Sequence, residues 1–184
     1  MRPVQRTVLA TCALMALLGT PPLAADLAQD RSADELKMAF LITFMKFVEW
    51  PPTAFVDAST PLTVGILGED PFDRGLDEAV RGKRIAAREV RVKRLGINDD
   101  LTQVHLLFIS GSERARVANI LPRLGSAGVL TVSDIEGFAE QGGIIELVLD
   151  KNRLRFEINM GAARRLNLQL SSKLLELAKA VIGS

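Results

Sequence analysis

The sequence predicts one α/β domain in which a largely parallel sheet is flanked by helices and carries a C-terminal antiparallel hairpin. Short apolar runs at Leu62–Leu67, Val104–Ile109 and Val129–Val132 alternate with segments of helical character, the order that builds a parallel sheet covered on both faces. Two further segments, Ile144–Leu149 and Leu154–Ile158, flank Asp150-Lys151-Asn152-Arg153, which reads as an antiparallel hairpin. No repeat, low-complexity tract or linker separates these runs, so residues 26–184 read as a single domain.

The chain opens on a leader. Arg2 and Arg6 make a basic start, Val8–Leu18 is apolar apart from Thr11 and Cys12, and Pro21-Pro22-Leu23-Ala24-Ala25 supplies a breaker and small residues. This is the plan of a secretory signal peptide over residues 1–25, cleaved near Ala25. Its apolar core is shorter than the roughly 20 residues needed to span a bilayer, and no later stretch reaches that length without a charge. Cys12, the one cysteine, lies inside the leader, so the exported chain has no thiol and its stability must come from a core. A content of 48% hydrophobic residues suffices for that. Of 23 basic residues two fall in the leader, leaving 21 against 22 acidic ones, a balance that argues against nucleic acid as partner.

After a polar leader at Asp26–Arg31, Ser32 and Glu35 have capping-box spacing and predict the first helix. Met38–Val48 is apolar nearly all round, the mark of a helix buried on several sides, and Pro51 predicts its end near Glu49. Asp70 as N-cap and Pro71 as first residue predict a helix after the Leu62–Leu67 strand. Arg84–Ala86 and Val90–Leu95 read as linked strands, and Asp99–Gln103 as a helical turn. Ser110 and Glu113 repeat the capping-box spacing before a helix to about Leu124, and Ile135–Gln141 reads as a short helix or turn. Leu170, Leu174, Leu177, Ala178 and Val181 fall at helical spacing and predict a final amphipathic helix.

Candidate chemistry is sparse. Gly65-Ile66-Leu67-Gly68 ends a strand before a helix, where phosphates bind in other folds, but it is neither G-x-G-x-x-G nor a P-loop. His105 is the single histidine, without a cysteine or second histidine to share a metal, and it serves as a triad base only if Ser110 or Ser112 reaches it. Asp70, Asp73 and Asp77 suit a helix start, and a magnesium site would need Asp70 to converge with Asp134. These readings assign no catalytic residue, metal or cofactor. A weaker ligand-binding set remains at the carboxyl ends of the strands: Gly68, Asp70, Ser110 and Asp134. Phe40, Phe44, Phe47 and Phe55 read as core, whereas Trp50, beside Pro51 and Pro52, is a candidate anchor for a ligand or second subunit.

The runs A-F-L-I-T-F-M-K-F-V-E-W-P (Ala39–Pro51) and L-T-V-G-I-L-G-E-D-P-F (Leu62–Phe72) resemble the YfiR family of periplasmic proteins. So do H-L-L-F-I-S-G-S-E (His105–Glu113), V-L-T-V-S-D-I-E-G-F-A-E-Q-G-G (Val129–Gly143), R-F-E-I-N (Arg155–Asn159) and A-A-R-R-L-N-L-Q-L-S-S-K-L-L (Ala162–Leu175). The resemblance implies a dimeric α/β regulator that is not an enzyme. It would bind and repress the periplasmic sensory domain of an inner-membrane diguanylate cyclase, lowering cyclic di-GMP and biofilm formation. It also implies disulfides, which a chain without thiols cannot form once its leader is removed. A partner face is expected around Gly137, Phe138 and Gly143 with Glu157 and Asn159: Phe138 sits on a turn from which it can project, and Glu157 points opposite to Phe156 and Ile158. The other reading has Phe138 capping the core and Glu157 pairing with Arg155 or Arg164. The alternative function is a periplasmic small-ligand-binding module, and a hydrolase using Ser110 or Asp70 is the third.

Overall fold

The computed structural model describes the backbone of residues 22–183 and the side chains of residues 33–183, so the basic start and apolar run of the leader lie outside the described residues. Helix α1 (Pro22–Phe47) runs straight through the predicted start at Ser32. Ala24, Ala25, Leu27 and Ala28 are strong helix formers, and a capping pair starts a helix only where the preceding residues leave helical angles. The polar stretch Asp26–Arg31 is thus helical rather than loose. At its other end α1 gives way to strand β1 (Val48–Glu49), as Pro51 demands. No described helix is long and apolar enough to cross a membrane.

Among the described residues the sheet has eight strands. They are β2 (Leu62–Leu67), β3 (Arg84–Ile85), β4 (Arg88–Leu95), β5 (Leu106–Ile109), β6 (Leu130–Ser133), β7 (Ile145–Asp150), β8 (Arg153–Asn159) and β10 (Ala180–Ile182), in the order β10-β8-β7-β6-β5-β2-β4-β3. Strands β4, β2, β5, β6 and β7 are parallel, and β8 returns antiparallel to β7. The fold class is therefore the expected one, with the hairpin joined to the parallel sheet. A separate ladder pairs β1 with β9 (Gln169–Leu170).

Both faces of the sheet are covered, which is why its central strands are unbroken apolar runs. Along β5, Leu106 and Phe108 join a core with Leu41 and Phe44 of α1, while Leu107 and Ile109 join a second core with Ile120, Leu124 and Phe138. Phe40, Phe44 and Phe156 form an aromatic cluster with ring centroids 5.0–5.6 Å apart, fixing α1 on the hairpin.

Three further expectations are corrected. The helix after β2, α2 (Gly75–Val80), starts later than Pro71 and has no side-chain cap. Asp70 instead accepts the N–H of Phe72 and binds Arg94 Nε at 2.9 Å. The segment after β5 is a 3-10 helix (Gly111–Arg116), one turn of α3 (Val117–Ile120) and a second 3-10 stretch (Leu121–Leu124). Ser110 does cap it, but its own N–H already donates to Leu67, so Glu113 does not reach back and pairs with Arg116. After α4 (Met160–Arg165), the predicted final helix shrinks to α5 (Ser172–Leu177), capped by Ser171 and followed by β10. Leu170 and Val181 lie in strands. Pairing of residues 180–182 with β8 outweighs a helical pattern whose stripe is only partly buried.

The β7–β8 turn is type I′, with Lys151 at φ 48° and Asn152 at φ 63°. Lysine is poorly suited to left-handed angles. Combining Lys151→Asn with Asn152→Gly is expected to stabilise the protein by about 1 kcal/mol, read as a rise of roughly 2–4 °C in Tm.

Candidate functional site

Gly68, Ser110 and Asp134 follow β2, β5 and β6 and lie together along the carboxyl edge of the sheet. Strand order reverses between β2 and β5, the place where open α/β sheets bind ligands. Here that crevice is filled. Ser112 Oγ accepts the N–H of Glu69 at 3.0 Å, and a Cβ on Gly68 (φ +92°) would fall 2.4 Å from Ser112 Oγ and 2.9 Å from Glu113 Cγ. Asp70 turns to Arg94, which also pairs with Asp77 at 2.6 Å and holds that carboxyl below the usual carboxylate range. Asp134 binds Lys37 of α1 at 2.8 Å and leaves its Oδ1 buried without a partner among the described residues. The weak ligand set thus shares one edge, yet each member is engaged by the protein itself or pressed against it.

The loop between β6 and β7 is more organised. Glu146, near the start of β7, is buried, and its carboxylate accepts the N–H of Gly137 at 2.9 Å and of Ala139 at 3.0 Å. Gly137 has φ +74°, a left-handed conformation that favours glycine. Asn159 donates from Nδ2 to the carbonyl of Ala139 at 2.7 Å and caps α4 by accepting the N–H of Ala162. Phe138 is fully buried in the second core, so it does not project. Its ring abuts Gly143, where a Cβ would stand 2.1 Å from the nearest ring atom. Gly137, Phe138, Gly143 and Asn159 are therefore brought together, as the frame of a loop rather than as its exposed contacts.

Beside this loop β7 runs past the end of β6, and the hairpin and loop enclose a groove of about 490 Å³ lined by Asp134, Glu136, Gly137, Glu140, Glu157 and Lys179 among others. Glu157 pairs with Lys179 at 3.0 Å rather than with Arg155 or Arg164, and this carboxylate holds the lysine above its ordinary value. Glu136 and Glu140 are exposed and make no ion pair among the described residues. Leu149 stands 73% exposed on the rim. The groove suits a cationic segment with an apolar side chain beside it.

Trp50 and His105 lie at the other edge. Trp50 donates from Nε1 to the carbonyl of His105, at the amino end of β5. Ser110 follows the carboxyl end of that strand, about 16 Å away along an extended chain, so His105 is not its base. Trp50, the candidate anchor, thus lies at the opposite edge of the sheet from the loop that holds Gly137, Phe138 and Gly143.

The residues missed in the sequence are Glu146, Lys37 and Lys179. Glu146 had a signal, a lone carboxylate in Ile144-Ile145-Glu146-Leu147-Val148-Leu149, because a charge inside an apolar strand must find donors. The two lysines had none, since their partners are distant in sequence.

The sequence profile of a family described as YfiR/HmsC-like matches residues 34–179. Among solved structures, the chain is similar to one titled as the ABC domain in complex with L-Trp from Streptococcus pneumonia. Identity there is 14%, coverage 65% of this chain and 55% of that one, and the TM-score 0.48. It is also similar to a conserved domain protein from Vibrio cholerae at 10% identity, covering 65% of this chain and 54% of that one, with a TM-score of 0.50. The chain spans about half the length of these structures, and the second likeness concerns the fold alone. No curated protein matches the chain.

Proposed function

The chain belongs to the YfiR/HmsC-like family, and on that premise we propose that it is exported to the periplasm and there binds the periplasmic sensory domain of an inner-membrane diguanylate cyclase, holding the enzyme inactive. The match over residues 34–179 carries this reading. The leader over residues 1–25 supports export of a mature chain beginning near Asp26. Repression is a linkage effect: a protein that binds one shape of the cyclase more tightly than the other shifts the population by that difference in affinity. Cyclic di-GMP and biofilm formation then rise when the regulator is lost. The acting unit in this reading is a homodimer, which sedimentation of the mature protein checks.

The partner face we infer is the groove between the 134–143 loop and the hairpin. Glu136, Glu140 and Glu157 supply its charge and Leu149 its apolar rim, while Phe138, Gly143, Asn159 and Glu146 hold Gly137 and its neighbours in place. Pull-down of the sensory domain tests the function, and Glu136→Lys with Glu140→Lys tests the face. The double variant is expected to keep its Tm and bind at least about tenfold more weakly. Unchanged binding by the folded variant places the face elsewhere. Failure of the unmodified protein to bind any cyclase sensory domain, with cyclic di-GMP unchanged on deletion, overturns the function.

A further inference from the structure

We propose that His105 is a proton-released latch: protonating its ring loosens the segment Trp50–Phe55 from the sheet. The argument begins with fixed hydrogen-bond roles. Nδ1 lies 3.1 Å from the backbone nitrogen of Thr63 and accepts its N–H, while Nε2 lies 3.0 Å from the carbonyl of Ala54 and donates to it. Only one neutral tautomer satisfies both. A second proton can go only on Nδ1, where it would point at the Thr63 N–H, donor against donor. The residue is 7% exposed, so losing that bond costs more than it would at the surface.

The surrounding charges act in the same direction. The ring of Phe55 stacks on the imidazole with centroids 4.4 Å apart and planes 19° apart, and the Arg88 guanidinium lies 3.7 Å over that same Phe55 ring. An imidazolium would place two cations on one aromatic side chain. Arg88 is not free to retreat, because it donates to the carbonyls of Asp57, Ala58 and Thr60. Among the described residues no carboxylate compensates. Asp57 on the segment is turned to Ser59 and Thr60, and Asp100 in the turn before β5 is turned to Thr102 and Gln103. Strand β2 contributes only the Thr63 N–H. Burial first, and Arg88 with it, hold the imidazole below its ordinary value of 6.5, and the bond to Ala54 only partly opposes them.

The sign follows from linkage. A histidine whose folded value is depressed contributes its full stability above 6.5, and that stability is lost as pH falls below 6.5 and through the folded value. What opens is the link from α1 and β1 to β2. The charged ring turns out of its site, and with it go the Thr63 and Ala54 bonds, the Phe55 stack and the edge contact with the Trp50 ring at 6.3 Å, while Arg88 keeps residues 57–60 on β4. Regulation of this kind suits a compartment whose pH follows the medium, but the latch itself does not depend on the partner proposed above.

The chain contains one tryptophan and one histidine, and both are in the latch, so intrinsic fluorescence and a single imidazole resonance report on it without labels. Between pH 7.5 and 5, emission of the full chain is expected to change with a one-proton midpoint below 6.5 that coincides with the imidazole titration. Below 6.5, Tm should fall by about 4 °C per pH unit relative to His105→Gln, whose amide can take both hydrogen-bond roles and gains no proton. In that variant the emission change should vanish. Persistence of the change in His105→Gln, or titration of the imidazole without any change in Trp50, overturns the proposal. Should His105→Gln not fold, Arg88→Gln serves instead: loss of the guanidinium is expected to raise the emission midpoint, and an unmoved midpoint overturns the proposal.

Discussion

Gly143→Ala is expected to destabilise the protein by about 3 kcal/mol, a fall of roughly 9 °C in Tm, although alanine is the smallest change available and the site lies beneath a turn. The new Cβ would stand 2.1, 2.3 and 2.5 Å from three atoms of the Phe138 ring, and that ring is fully buried against the second core. It cannot swing outward without uncovering apolar surface, and the backbone cannot yield easily because the Gly143 N–H donates to the Phe138 carbonyl at 2.9 Å. A double-mutant cycle with Phe138→Leu distinguishes this from a general loosening of the turn. Leucine leaves room for the methyl group, so the double variant should lose clearly less than the two single effects added together. Additive losses would show that the ring and the new methyl do not collide.

Glu146→Ala is expected to cost a similar amount, about 3 kcal/mol, by a different route. It deprives the N–H groups of Gly137 and Ala139 of their acceptors, and Ala139 is buried. Glu146→Gln retains one acceptor oxygen but turns an amide donor toward the other N–H, so a loss of about 2 kcal/mol is expected. Urea melts measure both. Hydrogen exchange at the amides of Gly137 and Ala139 should quicken ahead of the core strands. Exchange that accelerates only in step with global unfolding would mean that Glu146 does not hold the loop.

The same residues show where the sequence was legible. Strands β2, β5, β6 and β7 are short, largely apolar runs bounded by turn residues, and buried parallel strands announce themselves in that way, while β8 shows the alternation of an antiparallel strand. The hairpin turn was legible for the same reason. Helix limits were not, because Ser32–Glu35 and Asp70-Pro71 are local signals whose use depends on what precedes or faces them. At Asp70 the distant Arg94 competes for the carboxylate. The C-terminal segment misled because Leu174, Leu177 and Val181 fit a helix, while the available edge of β8 is visible only in three dimensions. At the candidate site the sequence singled out Gly137, Phe138, Gly143 and Asn159, which meet in the structure. Of the two readings open for Phe138, the one that caps the core holds, and the sequence did not choose between them because a single aromatic in a turn does not reveal which side of it faces the core.

The ladder between β1 and β9 joins Val48 to Leu170, and β10 completes the sheet edge with residues 180–182. Segments far apart in sequence must therefore meet before the sheet is finished, so nascent protein still emerging from a ribosome lacks the pieces that close this structure.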